Sequence, residues 1–229
     1  QPSELATDRP GQSNSPTVVL RGMVQVEAGY LFSRTGDVDQ HEVPITLVRV
    51  GFGGRTELRV GHAGTSWLEE KHGRGDSELG VKVNLIESGD TWLPELAIMG
   101  GMSLPTGGDG FSNNGIDPSL LVSFAYELSP RLSLGSNIGL AWESSSEEST
   151  RDAAIVYTLA LSGELTDRVG GLLELFGDRH ITGASASVDG GLTFLLRDLV
   201  QLDVYAGRGL RGLADDVFLG MGLSFRVPR

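Results

Sequence analysis

Hydropathy alternates with a period of two along most of this chain, and the alternating runs are long. From Leu120 to Leu128, the residues Leu120, Val122, Phe124, Tyr126 and Leu128 interleave with Leu121, Ser123, Ala125 and Glu127. Between Arg131 and Trp142 one face carries Leu132, Leu134, Ile138, Leu140 and Trp142, and the other carries Ser133, Gly135, Asn137, Gly139 and Ala141. Ile155, Tyr157, Leu159, Leu161 and Leu165 stand opposite Thr158, Ala160, Ser162 and Glu164. Val217, Leu219, Met221, Leu223 and Phe225 stand opposite Gly220, Gly222, Ser224 and Arg226. Side chains that alternate in this way belong to β-strands. A strand in a water-soluble domain is commonly about 5–6 residues long, whereas a tilted membrane-crossing strand needs about 9–11. The runs here belong to the longer class.

Turn-forming residues separate the runs. Short connections fall at Gly53-Gly54-Arg55, Ser88-Gly89-Asp90, Ser129-Pro130-Arg131, Thr166-Asp167-Arg168 and Arg197-Asp198, and these read as tight hairpins. Longer polar connections are expected at 34–42, 63–77, 104–117, 144–152, 177–185 and 208–215. Short and long connections in alternation describe an up-and-down membrane barrel with short periplasmic turns and longer outer loops. The expected fold is therefore all-β, a transmembrane antiparallel up-and-down β-barrel of about 12 strands occupying 18–229. Pro44 and Gly51 interrupt the second and third runs. Residues 1–17 are polar and aperiodic, and read as a periplasmic N-terminal tail or a plug-like segment.

Composition decides which face meets lipid. Gly accounts for 33 of 229 residues, about twice the average usage of ~7%, and much of it falls on the polar face with interspersed acids and bases. Small residues mixed with both signs of charge suit a narrow wet lumen, while Gly on a solvent face weakens a strand without packing in return. The alternative is a soluble sandwich, whose apolar face would point inward. Trp92, Trp142, Tyr30, Phe32, Tyr126 and Phe225 lie near strand ends, where interface girdles sit. No run approaches the roughly 20 apolar residues of a membrane helix, and a barrel needs none. The net charge of -12 argues against nucleic acid. The absence of Cys excludes disulfides and thiol chemistry, and no cofactor is expected. The Gln1 start suggests a mature chain from which a signal peptide has been removed.

Thr7-Asp8-Arg9-Pro10, then Ser13 and Ser15-Pro16, lead into the first strand. Leu104-Pro105-Thr106-Gly107, Ile116-Asp117-Pro118 and the terminal Asp216-Val217-Phe218-Leu219-Gly220-Met221-Gly222-Leu223-Ser224-Phe225-Arg226 follow. In order and spacing, the chain resembles the outer-membrane barrel transporters of the meta-pathway phenol-degradation family over essentially its whole length. The resemblance implies an outer-membrane barrel that admits small molecules, aromatic or hydrophobic ones included. Such barrels usually finish on an aromatic residue, whereas here Phe225 is followed by Arg226-Val227-Pro228-Arg229.

The charged lumen residues are the functional candidates. Arg49, Arg59 and Lys82 fall on consecutive strands and face Glu27, Glu57, Glu78 and Glu95. Opposed ladders of base and acid would set a transverse field across a pore; alternatively the groups satisfy one another and fill the lumen. Asp109, Asn113 and Asp117 could bring oxygen ligands to Ca²⁺, but their spacing departs from the usual calcium loop and suits a flexible turn equally well. Glu143, Glu147, Glu148 and Asp152 form an acidic loop, either simply solvated or bridged by divalent cations to lipopolysaccharide. His41, His72 and His180 are expected in loops and His62 at a strand end; Ser66 and Ser77 lie near His72 without an evident catalytic frame. The leading expectation is a non-enzymatic, porin-like passive channel for small molecules. The alternatives are a plugged structural barrel that binds partners through its acidic loops or N-terminal tail, and then a lipid-modifying enzyme.

Overall fold

The computed structural model describes residues 5–89, 93–113, 115–144 and 151–228. The strands are Met23–Thr35 (β1), Val38–Gly51 (β2), Thr56–His62 (β3), Thr65–Leu68 (β4), Lys71–Arg74 (β5), Ser77–Ile86 (β6) and Glu95–Leu104 (β7). They continue with Asp117–Ser129 (β8), Leu132–Ser144 (β9), Arg151–Thr166 (β10), Val169–Arg179 (β11), Ala184–Arg197 (β12), Val200–Arg211 (β13) and Val217–Pro228 (β14). Each pairs antiparallel with its neighbours, and β1 pairs with both β2 and β14, so the sheet closes on itself. β2 pairs with β3 over one part of its length and with β4 over another, while β3 meets β6 and β4 meets β5. Thus β3 with β4, and β5 with β6, are two interrupted staves, and the ring is a closed barrel of twelve.

The burial pattern is inverted relative to a water-soluble protein. Arg49, Lys82, Glu57 and Gln25 are 0% exposed, whereas Leu120, Ile138, Leu159, Leu173 and Leu219 are among the exposed apolar residues. The exposed apolar side chains alternate with the inward ones on strand after strand. They form a belt suited to lipid, with the polar residues turned inward, as in a transmembrane barrel. Pro44, which has no N–H to give a ladder, sits where the β1–β2 register shifts between Gly29 and Leu31.

Several connections differ from their expected lengths. The polar stretches at 34–42 and 177–185 are largely strand, leaving only Gly36 and Asp37 between β1 and β2 and residues 180–183 between β11 and β12. Residues 63–77 are largely strand, with only 63–64, 69–70 and 75–76 between strands; β4 and β5 form a hairpin that carries the wall past the apolar belt. Beyond lipid both faces of a strand meet water, so the pairing persists after the hydropathy alternation has stopped. At the other end, Ser88-Gly89-Asp90 belongs to a longer connection from 87 to 94, of which 90–92 lie outside the described residues.

Residues 5–19 lie inside the barrel, and Leu20 at its mouth is exposed. A turn in which Met23 N–H donates to Leu20 O, with Gly22 at φ 81°, folds the chain back from the start of β1. This turn sits at the short-turn end, and the segment it releases crosses the lumen as a strap. Gly51 admits it: a Cβ there would fall on the carbonyl of Leu20.

Candidate functional site: the lumen and its strap

The strap is held by inward-facing side chains all round the wall. Arg9 donates to Asp203 on β13 (Nη2 to Oδ1 3.0 Å) and stacks on Tyr205. The backbone N–H groups of Gln12 and Ser13 donate to Glu174 on β11 at 2.6 and 2.7 Å. Asn14 exchanges two hydrogen bonds with Asn137 on β9 and accepts from Arg59 on β3. The return limb is held by Lys82 and Asn84 on β6 and Glu95 on β7, through Ser15, Pro16 and Thr17. Val19 N–H donates to Glu57 on β3 at 2.8 Å. Ser15 N–H also donates to Asp8, closing the strap on itself.

Beneath this loop lies a buried charge cluster. Arg49 reaches Glu57 at 2.9 Å and Glu27 at 3.1 Å; Arg59 reaches Glu57 at 2.8 Å; Lys82 lies 3.4 Å from Glu57. Asp8 adds a third acid, 2.7 Å from Arg59 and 3.6 Å from both Arg49 and Lys82. Five of the seven expected ladder residues therefore meet, as a compact cluster of three bases and three acids once Asp8 is included. Glu95 pairs instead with Thr17 and Asn84, and Glu78 faces open space nearer the longer loops. Asp8, Arg9 and Asn14 were not among the expected site residues. They lie in an aperiodic segment, and no local spacing marks them as wall contacts. Asp189, beside Glu174 across the β11–β12 pair, has both carboxylate oxygens buried without a hydrogen-bond partner.

Two cavities flank the strap. One, of about 510 Å³, opens toward the short turns between the strap and β8–β12, with Glu127, Ser133, Ser162 and Glu164 in its wall. The other, of about 330 Å³, lies toward the longer loops and is bounded by Arg59, Glu78, Asp117 and Glu143. Asn14 lines both.

The remaining candidates are placed apart from this lumen site. Asn113 Nδ2 donates to Asp117 at 3.0 Å, and Ser144 gives Asp117 both its N–H and its hydroxyl. The Asp117 carboxylate thus already accepts from protein donors, and among the described residues no hydrogen bond joins it to Asp109. Among the described residues there is no group of three His, Cys, Asp or Glu able to hold a metal. Glu147 and Glu148 lie outside the described residues, as does Trp92. His41 and His72 are in strands rather than loops. His41 bonds Tyr30, His62 accepts from Gly64 N–H, and His180 contacts Asp178. Ser66 donates to Glu42 and pairs with Gly73, one position from the Trp67–His72 pair, so Ser66 and His72 face opposite sides of the hairpin.

The family model described as "Putative MetA-pathway of phenol degradation" matches residues 7–227. The chain belongs to this family. The match begins at Thr7, so it takes in the strap along with the wall. Three solved structures share the architecture of this phenol-degradation family member. An outer membrane channel from Pseudomonas putida F1 aligns over 96% of this chain and 100% of its own, with TM-score 0.73 and 13% identity. NanC porin aligns over 89% of this chain and 100% of its own, with TM-score 0.62 and 13% identity. KdgM porin aligns over 88% of this chain and 98% of its own, with TM-score 0.60 and 11% identity. At these identities the likeness establishes a shared fold. A comparison with curated proteins gives no match.

Proposed function

We propose that this protein is a passive channel of the bacterial outer membrane, with its short turns and both termini toward the periplasm and its strap forming the constriction. The observation that carries this reading is the pair of cavities on opposite sides of the strap, meeting at Asn14. Asn14 stands between the two cavities and is held by hydrogen bonds to Arg59 and Asn137. The similar structures, an outer membrane channel and two porins, support the same reading. Solute size follows from the cavities. A cavity of ~150 Å³ is enough for benzene, so one of about 330 Å³ accommodates a single-ring aromatic molecule. Small aromatic or hydrophobic solutes, the class the family description suggests, fit that space. No catalytic step is part of this proposal.

The burial of most of the charge cluster, with Arg49, Lys82, Glu57 and Glu27 at 0–1% exposure, favours a second reading, a barrel sealed by its strap that serves as a structural or partner-binding element. Planar-bilayer recordings separate the two. The channel reading expects discrete small conductance steps from folded protein, enlarged when residues 5–18 are deleted. A flat trace from folded full-length protein, with current appearing only in the deletion, would establish the sealed barrel.

A further inference from the structure

The bases and acids of the lumen are not distributed alike. Its inward-facing bases are Arg9, Arg49, Arg59, Lys82 and Arg226, and each is engaged. Arg9 is held by Asp203, and Arg49, Arg59 and Lys82 are held by Asp8, Glu27 and Glu57. Arg226 donates to Gln25. Four bases are thereby matched by four acids along one arc of the wall and on the strap.

The cavities lie largely against the rest of the wall, and their acids have no such partners. Glu127 and Glu164 line the short-turn cavity; Glu78, Asp117 and Glu143 line the other. None of these five is in an ion pair among the described residues. Arg131, which also borders the short-turn cavity, lies 3.6 Å from Asp167 in the turn. A solute entering from either end therefore meets carboxylates first, then a strap whose own charges are matched.

We infer that the passage is selective for small cations, inorganic or amine-bearing, because carboxylates without a basic partner among the described residues line it on both sides of the strap while every lumen base is already engaged. Rings of Asp and Glu favour cations by lowering their energy at the constriction and raising that of anions. The inference rests on the channel reading above and adds the charge of the solute to it.

Reversal potentials under a KCl gradient test it in full-length protein reconstituted in a bilayer. The expected result is a permeability ratio several-fold in favour of potassium. Glu127→Gln with Glu164→Gln, and separately Glu78→Gln with Glu143→Gln, should each lower the ratio toward one. Glu87→Gln, an exposed change at the turn outside the lumen, should leave it unaltered. Folding of each variant is read independently from its heat-modifiable migration. A ratio at or below one in the wild type, or one unmoved by both double variants, overturns the cation assignment while leaving the channel intact. Absence of current from folded wild-type protein overturns both.

Discussion

At Asp8 one carboxylate faces Arg59 at 2.7 Å and lies 3.6 Å from Arg49 and Lys82, and all three bases are buried in the lumen. Removing one partner from a buried ionic cluster costs about 3–5 kcal/mol, because the remaining charges are left uncompensated. Asp8→Asn is therefore expected to lower barrel stability by an amount of that order and to loosen the strap. Urea unfolding in vesicles reads the first effect, and single-channel conductance reads the second as larger, noisier openings. The wall half of this cluster was legible in the sequence, since Arg49, Arg59, Lys82, Glu27 and Glu57 fall on inward positions of alternating runs. Asp8 was not, because the segment around it has no period from which a facing could be assigned. No count of charge marked it either, since the sequence sets four acids, Glu27, Glu57, Glu78 and Glu95, against the three bases.

The connection from β7 to β8 shows how a polar stretch acquires structure. Asp76, just before β6, accepts the N–H groups of Gly107 and Asn113 at 2.8 and 3.1 Å, and Phe111 packs onto Gly73 of β5. Partial burial pushes the Asp76 carboxyl up, but these donors outweigh it and hold the group below its ordinary value of about 3.8. Its folded value thus lies below the unfolded one, so the anchoring is complete above that ordinary value and is lost as pH falls through the lower folded value. Hydrogen exchange at Gly107 and Asn113 is expected to stay protected from neutral pH down to mild acid. Asp76→Asn should expose both amides at neutral pH. The hairpin beneath this loop was read as a long loop because hydropathy reports lipid contact, and β4 and β5 project beyond it. Element existence was legible wherever lipid touched the strand, and element ends were not.

Across the whole molecule, the outward apolar belt and inward charge were written plainly in the alternation. Leu159 lies mid-strand on β10 and is largely exposed on the outer face. Leu159→Arg should cost about 2–4 kcal/mol, the range for a basic residue near the bilayer midplane. Urea titration in lipid vesicles would measure it, with a smaller loss expected at Val217 nearer the rim. The course of the strap through the lumen was legible only as an alternative, since its contacts join residues nearly the whole chain apart. Arg9 and Asp203 are separated by 194 positions, and so are Thr7 and Gln201. That separation has a consequence for assembly. The strap grips β3 on one side of the β1–β14 seam and β13 on the other, so its seat is complete only when the last strand has met the first. The earliest residues of the chain are thus among the last to be fixed. Contacts of such long range close slowly, and a barrel missing its final strands would leave its own threshold unlatched.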